Sequence, residues 1–595
     1  MKIKHLFGLA VIAAMTASCS SNEDLGTAGP GTGTNEAGVG YATFTINLPT
    51  TSGTRAAGDP EFKPGDDNEY KVNDATLVIF EKGTETSENN FKFVEAVPLG
   101  NLEPWKKDNE STNGITTEAT ITAELNSAKV DEKGGQYYAL VILNNKVGTE
   151  NKVTIPSATT ETYGTWNVAD KVNAKNLVNN TNGFYMANAP EFTTKGVEPT
   201  TLVPIKGIYR TKEEAQSKPG TTVHVERGLA KVTVGSSTTK GSKDYFAADG
   251  DDATGKNYSS DKVQITKWAL DVTNKHSFPV HVTSGLKDGT KSTDQTVPAY
   301  TDIWENEAGT TAATNRFVSQ LSAPGAFNRV YWGIDPNYSK DLTDKDACEK
   351  EFTLVKADAS DAAWKTSKEP LYCLENTFDI DHMKQGQTTR VVFEAKYSPK
   401  DFIANETFYK IGNNTTILKE AELKTVVNNA ATSVLPGCEV DYDANLKNKG
   451  SHVITLADIK DATGTPLVAD TKYNGKKGTD IVDEINAKLG LKAGVGINTY
   501  LNGVTYYIAR IKHFGDDLTP WKAGDATYGD NLKWLGRYGV LRNNWYDLTI
   551  NSISGPGYPD VPEVKPTDPD DENTKYINVS VKILDWAKRS QKVDL

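Results

Sequence analysis

The chain has only four cysteines in 595 residues, and one of them, Cys19, closes the N-terminal apolar stretch. The remaining three, Cys348, Cys373 and Cys438, allow at most one bridge, which excludes a disulfide framework; buried free thiols fit equally well. The seven histidines form no HExxH pair and accompany no paired CxxC spacing, so the usual zinc sites are missing. His276 and His281 flank "SFPV" and read as surface or core histidines. There is no G-x-S-x-G elbow and no Cys/His nucleophile motif. Carboxylates are too many, at 78 Asp and Glu, for sequence to single out one catalytic pair. An excess of positive charge is absent as well: the net charge is -13, which gives no nucleic-acid footprint. Beyond the N-terminus no apolar run approaches the ~18 residues of a membrane span. Neither a cofactor nor an enzymatic activity is indicated.

Two motifs fall short of their chemistry. "GDDATGKN", residues 250–257, has phosphate-loop spacing, but Asn257 stands where a magnesium-binding Ser or Thr belongs, and no buried strand precedes it. A polar surface turn is expected. Asp249, Asp251 and Asp252 could attract calcium, yet the glycine and terminal glutamate of an EF-hand loop are missing.

What is present begins with "MKIKHLFGLAVIAAMTASC": two lysines, an apolar run from Leu6 to Met15, then small residues ending in Cys19. This predicts a signal peptide over 1–18. The boundary cysteine resembles that of a lipoprotein, with Cys19 acylated, although Thr16 replaces the usual leucine. Residues 19–37, rich in Gly, Ser and Thr, predict a flexible lipidated tether. Next comes "YATFTINLPTTSGTRAAGDP", residues 41–60. Ala42, Phe44, Ile46 and Leu48 alternate with polar residues as in a strand, and Arg55 is the only Lys or Arg between His5 and Lys63.

The body of the chain reads mainly as β. "EATITAEL" alternates, while "TLVIF" and "YYALVIL" are continuous apolar runs suited to strands buried on both faces. "VHVERGLAKVTV" changes phase at Gly228, which predicts a bulge or bend. "VQITKWALDV", "TRVVFEAKY" and "VTYYIARIKHF" are rich in β-branched and aromatic residues. Helices are expected at "TDIVDEINAKLG", where Ile481, Ile485 and Leu489 share a face, and near "KEAELKTVVNN". After prolines at 556, 559, 562, 566 and 569, which predict an extended arm without a packed core, a last strand appears in "KYINVSVKILDW".

This order of features resembles the type V pilins of Bacteroidales, the fimbrillin superfamily, and specifically the shaft subunit of short (minor) fimbriae. "ERGLAKVTV", "YWGIDPNYS", "YCLENTFD", "YYIARIKHFGDD", "YGVLRNNWYDLTINSIS" and the closing "VSVKILDWAKRSQKVDL" are similar to stretches of those pilins, most specifically in the C-terminal third. Together, residues and resemblance imply a mainly β fold: two tandem transthyretin-like β-sandwich domains with short helices, at 56–240 and 241–555, plus an extended C-terminal donor strand. Residues 38–55 would be a propeptide strand, 556–575 a Pro-rich arm and 576–595 the donor.

The resemblance further implies that the precursor is carried to the outer membrane as a lipoprotein. An arginine-specific or trypsin-like protease would cut between Arg55 and Ala56. Loss of the strand bearing Phe44, Ile46 and Leu48 would open a groove for the tail of another copy, entering with Ile577, Val579, Val581, Ile583 and Trp586. Burying five such side chains contributes on the order of 8 to 15 kcal/mol before ordering costs. The implied partners are other copies, anchor and tip subunits, and the protease; the implied place is a fimbrium on the cell surface, serving adhesion. An anchor subunit would instead keep its lipid and an uncut Arg55, and a tip subunit would lack a usable tail. A glycan-binding surface lipoprotein would need exposed Trp or Tyr platforms, which ten scattered tryptophans do not locate.

Overall fold

The computed structural model describes residues 39–48, 69–100, 102, 106–107, 115–116, 118–193, 197–236, 242–283, 317, 327–356, 363–366, 368–443, 447–522, 525 and 534–570, and the backbone of 577–584. The signal peptide, Cys19, the tether, Arg55, Ala56 and Trp586 lie outside these residues.

The N-terminal strands are β1 (Gly40–Asn47), β2 (Ala75–Glu81), β3 (Lys92–Pro98), β4 (Glu118–Leu125), β5 (Tyr137–Leu143), β6 (Met186–Asn188), β7 (Val203–Pro204) and β8 (Thr221–Arg227). They form one eight-stranded sheet in the order β3-β2-β5-β6-β8-β1-β4, with β7 beside β5. Its two ends fold toward each other: Glu95 of β3 accepts hydrogen bonds from the backbone N–H groups of Asn126, Ser127 and Ala128, just beyond β4, at 2.8–2.9 Å. The continuous apolar runs of β2 and β5 pair at the centre, Leu77 opposite Val141 and Ile79 opposite Ala139, and all four side chains are fully buried. Strands covered on both faces have no polar side to alternate with, which is why these two read as unbroken apolar runs.

A short α-helix, α1 (Lys212–Ser217), leads into β8, and the chain leaves this sheet at Gly228. A Cβ there would stand 2.8 Å from the Tyr185 ring, so the change of phase in "VHVERGLAKVTV" marks a crossover between sheets that only glycine passes. The strands that follow are β9 (Ala230–Ser236), β10 (Asp251–Asp252), β11 (Lys262–Asp271), β12 (Leu371–Cys373), β13 (Arg390–Ser398), β14 (Phe408–Ile411), β15 (Gly450–His452), β16 (Ile497–Tyr500), β17 (Val504–Arg510), β18 (Trp545–Ile553) and β19 (Ile577–Leu584). Two four-stranded sheets, β12-β9-β18-β19 and β10-β11-β13-β17, enclose a common core that includes Val232, Val234, Tyr546 and Leu548 from one and Ile265, Trp268, Phe393 and Tyr507 from the other. This is the second β-sandwich.

Between β13 and β17 lies a smaller unit with its own core. The two helices expected from their periodicity, α2 (Glu420–Val434) and α3 (Gly478–Lys488), bury Leu423, Val427, Ile481 and Ile485 against a three-stranded sheet, β14-β16-β15. The mainly β expectation therefore holds, with one helical insert.

The motif "YWGIDPNYS" is structural. The Asp335 carboxylate accepts from the backbone N–H groups of Asn337 and Thr377, both at 2.6 Å. Burial pushes its pKa up to about 8. A carboxyl raised above its unfolded value adds stability below pH ~4 that is lost as pH climbs through about 8. The unfolding free energy is therefore expected to fall across that window, and Asp335→Asn to flatten the slope in urea titrations run at several pH values.

Candidate functional site

The strand that precedes Arg55 is paired on both sides within its sheet, one place in from the β4 end. β1 runs parallel to β8, with Phe44 opposite Thr221 and Ile46 opposite Val223, and antiparallel to β4, with Gly40 opposite Leu125 and Asn47 opposite Glu118. Its alternation is realised fully: Ala42, Phe44 and Ile46 are 0 % exposed and Leu48 1 %. The outward face is tied as well. The Thr43 and Thr122 hydroxyls lie 3.0 Å apart, those of Thr45 and Thr120 3.1 Å apart, and the Asn47 amide donates to Glu118 at 2.9 Å. At the entry Tyr41 and Tyr209 exchange backbone hydrogen bonds of 2.8 Å, and the Thr43 hydroxyl donates to the Ala215 carbonyl on α1. Taking β1 away would separate β4 from β8 and leave two unpaired strand edges facing each other across an apolar trench.

The chain is described again from Glu69, which is clamped where the two sandwiches meet. Its carboxylate lies 2.5 Å from the Lys231 ammonium and accepts from the Tyr372 hydroxyl at 2.7 Å, and its carbonyl accepts from Arg227 at 2.6 Å. Lys231 also sits over the Trp545 ring, 3.9 Å from its centroid. The chain that follows segment 49–68 is thus pinned at Glu69. Both charges are buried, so Glu69→Ala leaves Lys231 uncompensated and should cost about 3–5 kcal/mol in chemical denaturation.

The tail strand differs from the expectation of a free, extended donor. β19 lies antiparallel against β18 of its own domain, Ile577 opposite Ile553, Val579 opposite Ile550, Val581 opposite Leu548 and Ile583 opposite Tyr546. It ends the sheet order, so its other edge is unpaired within that sheet. The physical reason is the apolar edge strand β18, which otherwise offers open N–H and C=O groups to any strand within reach. The proline segment departs from expectation too. Up to Asp570 it is packed: Tyr558 and Tyr506 exchange backbone bonds of 2.8 Å, Val564 is buried beside Cys348 and Phe352, and Asp570 pairs with buried Arg510. The prolines remove donors from this stretch without preventing its remaining carbonyls and its aspartate from being bound.

Other candidates resolve into structure. All three cysteines of the body are free and buried. Burial pushes the Cys373 thiol up to about 12, far from a reactive thiolate. His281 Nδ1 lies 2.9 Å from a carboxylate oxygen of Glu226 in the interior, while His276 lies 3.2 Å from Glu351. Asp251 and Asp252 are neutralised by Lys243 and Lys262, which explains why they are not left to a cation. Among the described residues no group of three or more His, Cys, Asp or Glu is placed to hold a metal. None of their helices is long and apolar enough to cross a membrane.

Sequence reasoning missed the Glu69 clamp and the Arg510–Asp570 pair. Lys231 alternates with Val232 and so reads as an outward lysine, and nothing local announces that its partner lies 162 residues earlier.

Residues 498–592 match the family model described as "Major fimbrial subunit protein type IV, Fimbrillin, C-terminal". The match contains β17, β18 and β19, the strands of the tail site and their neighbours. No curated protein matches the chain. Among solved structures, the chain is similar to two proteins from Parabacteroides distasonis ATCC 8503 described as candidate cell adhesion proteins. Both share 11 % identity with it; one alignment covers 93 % of this chain and 99 % of that one at a TM-score of 0.32, the other 92 % and 100 % at 0.34. It is also similar, again at 11 % identity, to the tip fimbrial protein Mfa3 from Porphyromonas gingivalis with C-terminal truncation, over 92 % of this chain and 100 % of that one, at a TM-score of 0.26.

Proposed function

We propose that this chain, whose C-terminal segment is that of a fimbrillin, is the structural shaft subunit of a cell-surface fimbrium. It is exported as a lipoprotein precursor acylated at Cys19, cut between Arg55 and Ala56, and polymerised when the tail of one copy replaces β1 of the next. Its role is mechanical and adhesive, with no chemical step of its own. The observation that carries the reading is β1: a strand paired on both sides, with its apolar face fully buried, followed by the segment 49–68 in which Arg55 stands among small residues. Small side chains on either side of Arg55 present little bulk to a protease that must draw the segment into its cleft.

The chemistry of exchange is that of β-strand addition. Ile577, Val579, Val581 and Ile583 recur at the same two-residue period as Ala42, Phe44, Ile46 and Leu48, so a tail strand would present an apolar side chain wherever β1 did. Such a contact joins two different surfaces and does not close on itself, so it grows a filament. Partners on this reading are further copies, an anchor and a tip subunit, and an arginine-specific or trypsin-like protease.

The test is the N-terminal residue of protein sheared from the cell surface. Ala56 is expected; a fimbrial protein that still begins at Cys19 would refute processing at Arg55.

A further inference from the structure

We propose that Asp570 is the fixed point of the tail: residues 556–570 stay on their own subunit during assembly, and only the chain beyond Asp570 passes to a second copy. This rests on the strand-exchange reading above and deepens it, because it divides the C-terminal region into a part that holds and a part that moves.

The division follows from how differently the two parts are held. Residues 556–570 are fastened along their length to the β10-β11-β13-β17 sheet and the loops around it. The Tyr500 hydroxyl donates to the Gly557 carbonyl at 2.9 Å, and Gly557 lies so close to β17 that a Cβ would stand 2.1 Å from the Tyr506 carbonyl oxygen. Arg390, itself paired with Asp271 at 2.8 Å, donates to the Pro562 carbonyl at 2.7 Å. The Gln385 N–H donates to the Asp568 carbonyl at 2.9 Å, and the Asp570 N–H to the Met383 carbonyl at 3.0 Å. At the end, the Asp570 carboxylate accepts from both Arg510 and the Thr388 hydroxyl, and all of these polar groups are buried.

β19 is held otherwise. It has one neighbour in its sheet, β18, and its pairing is interrupted by a register shift opposite Asn578 and Val579. Unpairing an edge strand hands its backbone groups to water, which hydrates them. Pulling Asp570 away would leave Arg510 charged and uncompensated in the interior, a much larger penalty. Stress on the tail is therefore relieved beyond Asp570, not within 556–570.

Two cystine locks test this. Lys384 and Pro569 are antiparallel bridge partners, and Thr549 and Ser580 are paired across β18 and β19; both pairings set Cα atoms at separations a disulfide can span. One variant carries Lys384→Cys with Pro569→Cys, the other Thr549→Cys with Ser580→Cys. Each is nicked with limiting trypsin beside the parent and followed by non-reducing gels, then by the same gels after reductant. The arm-locked copy is expected to form ladders as the parent does. The tail-locked copy is expected to stay monomeric until reduced. Ladders that the arm lock blocks and reductant restores would overturn the proposal. Ladders formed by the tail-locked copy before reduction, or none from the parent, would overturn strand exchange itself and the proposal with it.

Discussion

Phe44→Ala is expected to weaken the uncut chain and to speed assembly of the cut one. In the intact protein Phe44 is fully buried in the N-terminal core, and truncating it should cost about 3–5 kcal/mol of unfolding free energy. After cleavage between Arg55 and Ala56 the same loss falls on a detachable ligand. Burial of Phe44, Ile46 and Leu48 holds β1 by about 5–9 kcal/mol, and ladder hydrogen bonds to β4 and β8 add roughly 1 kcal/mol each. Cutting the chain therefore does not empty the groove; it only removes the tether that returns β1 after each excursion. On the strand-exchange proposal, departure of the strand limits assembly, and a strand lacking its largest anchor departs sooner. Ladder formation by nicked Phe44→Ala should outpace that of the nicked parent in a timed gel assay. Equal rates would mean that β1 is not displaced on the way to the polymer.

Deleting residues 576–595 should abolish ladders while leaving a folded monomer. The structure explains why folding survives. β18 keeps its parallel partner β9 along six residues, from Lys231 opposite Trp545 to Ser236 opposite Ile550, and Tyr546, Leu548 and Ile550 remain in the sandwich core. What is lost is the cover of one sheet edge, so a modest drop in thermal midpoint and a tendency to associate edge to edge at high concentration should accompany the loss of ordered ladders. Ladders of unchanged spacing from the deleted protein would clear the tail of any donor role.

Much of this was legible along the chain. Strand positions followed from apolar alternation or unbroken β-branched runs, and in β1 all four predicted inward residues are buried. The two longer helices, α2 and α3, were found because a 3.6-residue period persists long enough to be seen, whereas the six-residue α1 is too short to show one. These are properties of neighbours in sequence, and a side chain's face is set by its neighbours once the backbone type is known.

Partners across the fold were not legible. Whether β1 is an edge or a centre, whether the proline segment is loose or bound, and whether the tail is free or paired all depend on strands far away in the chain. β1 is an interior strand because β8, some 180 residues later, runs parallel beside it. The proline segment is bound because buried Arg390 and Arg510 satisfy themselves on it. By itself the sequence determined a mainly β chain, one isolated arginine behind an apolar strand, and a second apolar strand of the same period near the other end. Only the tertiary structure decided that the first strand is paired on both sides within its sheet and that the second lies against an edge of its own domain. Period is local, whereas pairing of backbone edges and compensation of buried charge are settled between residues that meet only when the chain has folded.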